Sequence, residues 1–125
     1  MADFCQVTEK ELTVATTKIW KARMRKAYAD ETNHVVVGEV MEENSLYLKM
    51  RCRAFHFKRP TMNANIVTSE VKVRIFPWEE ISYITELPVS SDWERAVAGL
   101  DEKGDVVLKP AAGSQSIRLK EGLDG

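Results

Sequence analysis

Cysteine is scarce in this 125-residue chain: Cys5 and Cys52 are the only two, and Cys5 lies close to a terminus. A disulfide framework is therefore not expected to organise the fold, and a reducing, cytoplasmic setting is the expectation. Long apolar runs are missing as well. No window approaches the roughly eighteen consecutive apolar residues of a membrane span. The opening Met1-Ala2-Asp3-Phe4-Cys5-Gln6 has no basic region leading into an apolar stretch, so no export signal is expected. The six glycines are scattered, which removes the phosphate-cradling loops. Histidine is limited to His34 and His56, too few and too poorly set for a nucleophile–base–orienter constellation. Cys52 and His56 stand four apart, about 13 Å along a strand, too far to share one metal without a bulge. A core thiol and an ordinary edge histidine are expected, with no catalytic residue, metal or cofactor assigned.

Strong net charge is absent too. The formal balance is −1, but residues 1–75 carry thirteen Lys/Arg against nine Asp/Glu and residues 76–125 carry five against ten. The first part is suited to facing an anion and the second is not. What is present in quantity is apolar residue, 44% of the chain, enough for one core and one domain over residues 1–125.

Those apolar residues fall mostly at period two. Thr8 and Glu11 have capping-box spacing, with Val7 and Leu12 as the hydrophobic staple, and predict a short leading helix to Thr16 or Thr17. Over residues 18–28 two readings stay open. A strand would turn Trp20, Ala22 and Met24 inward, while a continued helix would put Trp20, Met24, Ala27 and Tyr28 on one face. Asp30-Glu31-Thr32-Asn33 supplies turn chemistry. Val35-Val36-Val37 follows as a buried strand interrupted by Gly38, which marks a bulge or a close backbone approach. After the turn at Glu42-Glu43-Asn44-Ser45, residues 46–57 alternate, with Leu46, Leu48, Met50, Cys52 and Ala54 on one face and Tyr47, Lys49, Arg51 and Arg53 on the other. Strands that long normally bend to serve a barrel. Residues 58–70 read as a loop, Val71, Val73 and Ile75 as a strand, and Pro77-Trp78 as a turn into Ile81, Tyr83 and Leu87. A second capping-box spacing, Ser91 to Glu94, predicts a helix over Trp93, Ala96 and Val97 ended by Gly99. Val106-Val107-Leu108 and Ile117-Arg118-Leu119 form a weak hairpin or a tail.

This succession is mainly β: a small five-stranded bent antiparallel barrel with an N-terminal helix and a C-terminal helical appendage. The leading helix, Val36-Val37-Gly38-Glu39-Val40, the hairpin into Asn44-Ser45-Leu46-Tyr47-Leu48, and the last pair around Val73-Arg74-Ile75-Phe76-Pro77-Trp78-Glu79-Glu80-Ile81 together resemble the Sm-like fold over residues 8–87, with residues 88–125 outside it. The resemblance implies an open barrel of SH3-like shape whose edge strands pair between subunits into rings that often bind single-stranded RNA. The two loops that face phosphate in that family are acidic here, Met41 to Ser45 and Phe76 to Glu80, so RNA binding would have to rest elsewhere. The residues for it are Lys18, Lys21, Arg23, Arg25, Lys26, Arg51 and Arg53, interleaved with aromatic side chains. The alternative is a solvated or subunit-facing surface whose long stems cover apolar area.

The function expected from these features is a non-enzymatic, homo-oligomeric binding module with RNA as its favoured ligand and no membrane partner. A second reading, in a different class, is a protein-interaction or regulatory module that presents Trp78, Tyr83 and Trp93 to a partner with no nucleic acid involved, Trp being an effective anchor when it fills a pocket. A small enzyme ranks third.

Overall fold

The computed structural model describes residues 17–27, 31–58, 62, 65–110 and 116–119. The helix expected over residues 8–16 lies outside them. From Ile19 the chain is a strand, β1 (Ile19–Met24), which decides between the two readings of this stretch. Strands β2 (Asn33–Glu43) and β3 (Tyr47–Phe57) form a long hairpin, and β1 pairs antiparallel with β2. The hairpin turn is built by Asn44, whose side-chain oxygen accepts from the backbone N–H groups of Leu46 and Tyr47 at 2.8 and 2.9 Å. Leu46 is therefore a turn residue, 75% exposed, and not the first inward residue of the strand.

The segment expected as a loop after Phe57 returns to the sheet early. β4 (Val67–Thr68) and β5 (Lys72–Pro77) share one edge of β3, separated by a break at Ser69 where Ser69 bonds Ala54 through both its backbone N–H and its hydroxyl. A single 3-10 turn, Trp78–Glu80, reverses the chain into β6 (Ile81–Leu87), which pairs with β1. The order across the sheet is β4/β5-β3-β2-β1-β6. No pairing joins β5 to β6 among the described residues, so the sheet is open and not a closed barrel.

Gly38 is required by close approach. A Cβ on it would lie 2.2 Å from the Arg51 carbonyl oxygen and 2.6 Å from the Cys52 Cα, so β2 can cross β3 this tightly only without a side chain. The irregularity in the pairing falls further on, between Val40 and Glu42, where Met41 is the extra residue.

Alternation divides the sheet into two buried faces. On the inner face Ala22, Met24, Val36, Leu48, Met50, Cys52 and Ala54 meet Phe76 from β5 and Ile81 from β6. Residues from both edges reach one cluster, so the sheet curls over its own inner face. On the outer face lie Ile19, Val35, Val37, Phe55 and Phe57, and these are covered by a second sheet.

That cover is the largest departure from expectation. In place of a helix, residues 93–95 form a turn and β7 (Val97–Leu100) follows, pairing with β8 (Val106–Lys109), which in turn pairs with β9 (Ile117–Arg118). Trp93, Ala96, Val106, Leu108 and Leu119 press onto the outer face. Each large side chain so buried contributes about 1.5–3 kcal/mol. A helix would use its own carbonyls for i to i+4 bonds, but Arg53 takes those of Trp93, Glu94 and Ala96. β-branched Val97 and the alternation of Ala98 and Leu100 towards the core then favour a strand.

Candidate functional site

Four of the seven basic residues singled out from the sequence share one face. Lys21 and Arg23 of β1 and Arg51 and Arg53 of β3 all project from the outer face, because period two places odd-numbered residues of both strands there. That face is the one covered by the second sheet. Lys21 is 3% exposed and Arg23 7%. The Lys21 Nζ donates to the Arg118 carbonyl at 2.7 Å, and an Arg23 Nη2–H donates to the Asn33 Oδ1 at 2.6 Å. Arg53 gives one Nη1 to three backbone carbonyls, of Trp93 (2.9 Å), Glu94 (3.2 Å) and Ala96 (2.7 Å). Arg51 holds Glu94 by two parallel bonds of 2.9 and 3.0 Å and lies over the Trp93 ring. Lys21, Arg51 and Arg53 thus clamp the cover from within the chain, and Arg23 ties β1 to the start of β2.

The electrostatics agree with that assignment. Its bonds to Glu94 hold the Arg51 guanidinium above its ordinary range, and the same contact holds the Glu94 carboxyl below its own. Burial pulls Arg53 down, opposed by Asp92. Lys18 bonds Glu43 at 2.9 Å across the β1–β2 pair and lies over Trp20. Lys18 thus stands off the shared face, just before β1, and Arg25 and Lys26 lie past the end of β1, where they line a cleft.

Trp78 and Tyr83 are not brought together. Trp78 is half-buried against the inner cluster, and its indole N–H donates to the Asn44 carbonyl at 2.5 Å, tying the 3-10 turn to the β2–β3 hairpin. Tyr83 stands in register with Arg23, on the outer side of β6. Exposed apolar side chains also stand on the β4/β5 margin, Val73 and Ile75 (52% and 57% exposed) on one side of the sheet and Val67 (62%) on the other.

Where the inner face opens, between the ends of β1 and β5, there is a cleft of about 640 Å³. Arg25, Lys26, His34 and Arg74 line it, together with Glu31, Glu79 and Glu80. The His34 and His56 rings stack with centroids 4.2 Å apart, because β2 and β3 pair these two residues directly. Burial, followed by the neighbouring His56 and Arg74, pulls the His34 imidazole down to about 4; burial and Arg74 lower His56 as well. Two nitrogens in this cluster, His34 Nε2 and Arg74 Nε, are buried without a hydrogen-bond partner. Neighbouring Cys52 on the same face is sealed, with burial raising its thiol to about 11.

Sequence reasoning missed this cluster. The hairpin register needed to set His34 opposite His56 depends on the extra residue at Met41, which has no signature of its own, and Arg74 reads as one more alternating cation on a strand. Among the described residues no group of three His, Cys, Asp or Glu side chains is placed to hold a metal ion, and no helix is long and apolar enough to cross a membrane. No protein-family model, curated protein or solved structure matches the chain.

Proposed function

We propose that this chain is a non-enzymatic assembly module of Sm-like build, which joins copies of itself by pairing the β5 margin of one subunit with the β6 margin of the next. The observation that carries this reading is that, among the described residues, no strand pairs with the outer margin of β5 or of β6, while the outer face of the sheet is covered by the second sheet. The margins are complementary. β5 presents Lys72 with exposed Val73 and Ile75, whereas Glu79, Glu80 and Glu86 lie in and just before β6. An unprotected margin offers a row of N–H and C=O groups to another strand, and opposite charges select which margin it meets. The strand order, with β6 returning to β1 after a 3-10 turn, supports the Sm-like resemblance.

Protein is favoured over RNA as the partner. Five of the seven cations on which RNA binding would rest, Lys18, Lys21, Arg23, Arg51 and Arg53, already bond groups within the chain. Sedimentation velocity over a concentration series tests the reading. An oligomer is expected for the native chain and a monomer for Ile75→Pro, since proline removes a ladder donor from the margin. A native chain that stays monomeric at every concentration overturns it.

A further inference from the structure

We propose that the cleft between the ends of β1 and β5 is an oxyanion site for a small phosphate- or carboxylate-bearing ligand, with Arg74 as its charged anchor and His34 as its second donor. Elsewhere the polar groups of this sheet are spent: Lys21, Arg23, Arg51 and Arg53 all close bonds inside the fold. In the cleft they are not. The Arg74 Nε–H and the His34 Nε2 are shut off from solvent and unpartnered among the described residues, an unfavourable state that an acceptor entering the cleft would relieve. An oxyanion has acceptors for both. Arg74 donates through Nε–H, and neutral His34 donates in the tautomer that carries its proton on Nε2.

The surroundings favour an anion and limit its size. Arg74 sits beside two stacked imidazoles, whose protonation it opposes, and an anion at Arg74 would offset that field on both rings. Arg25 and Lys26 add two more cations at the end of β1. Glu31, Glu79 and Glu80 also line the cleft, so a long polyanion would meet repulsion there that a single phosphate or carboxylate escapes. At about 640 Å³ the volume lies within the span that small-molecule sites occupy, about 300–1,000 Å³. Arg74 stands on an edge strand, where its long side chain can swing to admit a ligand with little disturbance to the sheet.

With only two histidines in the sequence, imidazole nitrogen NMR reads this site directly. Inorganic phosphate and sodium acetate are titrated separately into the full chain at constant ionic strength, with sodium chloride as reference. A saturable shift of the His34 resonances and an upward move of its titration midpoint are expected. Both should vanish in Arg74→Met and weaken in Arg74→Lys. A stronger response to phosphate assigns the ligand to phosphate esters, and a stronger response to acetate assigns it to carboxylates. No saturable response in the native chain overturns the proposal, and that result stands even if Arg74→Met fails to fold. An equal response in folded Arg74→Met, or tighter binding of single-stranded RNA than of phosphate at His34, also overturns it.

Discussion

The two faces of the main sheet use the same residue types to opposite ends. On the outer face, cations alternate with large apolar side chains, and every cation of β1 and β3 that the second sheet covers finds an oxygen: Lys21 on Arg118, Arg53 on three carbonyls, Arg51 on Glu94. On the inner face no second layer is needed for the cluster to close, and of the cations at its mouth Arg74 keeps a buried N–H without an acceptor among the described residues. Charge under a cover is structural when acceptors are built with it, and the same charge at an opening without them is available for a ligand. Burial alone does not separate the two cases; the accounting of donors and acceptors does.

The sharpest way to break this comparison is to remove the outer clamp. Arg53→Met keeps much of the stem but leaves three carbonyls without their donor, and a loss of about 1.5–3 kcal/mol is expected from urea unfolding, the range for hydrogen bonds to a charged group. An unchanged midpoint would mean that the cover is held by its apolar contacts alone.

The inner face should respond to acid. Folded His34 titrates near 4 against 6.5 for the ordinary imidazole, so between those values the unfolded chain binds more protons and stability falls as pH falls. His56, also lowered, contributes with the same sign. Comparing urea midpoints at pH 7 and pH 4.5, the native chain should lose more than His34→Gln; parallel losses in the two would place the acid sensitivity elsewhere.

The smallest effect is expected at the rim of the cover. Arg51 and Glu94 keep 38% and 49% of their side-chain surface exposed, so despite the two-bond geometry Glu94→Gln should cost less than about 1 kcal/mol, and less still in high salt. A loss comparable to that of Arg53→Met would show that Glu94 acts as part of the clamp and not as its solvated margin.

Much of the sheet was legible in the residues. The alternation of Leu48, Met50, Cys52 and Ala54, the Val35–Val37 run and the Pro77-Trp78 reversal all report a local period that tertiary structure had no reason to override. Gly38 announced a close approach, which the Arg51 carbonyl supplies. The capping-box spacing at Ser91 and Glu94 misled because its glutamate is claimed by Arg51 and its carbonyls by Arg53, both some forty residues away in sequence. For the same reason Arg51 and Arg53 read as part of a solvated or RNA-facing surface: a strand with one cationic face looks alike whether that face meets water or backbone oxygens. The His34–His56 stack was hidden by a register that one inserted residue at Met41 controls.

Because the covering strands come last in the chain, the ribosome delivers the sheet before its cover. For that interval Val35, Val37, Phe55 and Phe57 stand bare on the nascent protein, flanked by Lys21, Arg23, Arg51 and Arg53. Like charges on two such surfaces repel one another, so the cations that close bonds inside the finished fold also disfavour the meeting of two uncovered sheets.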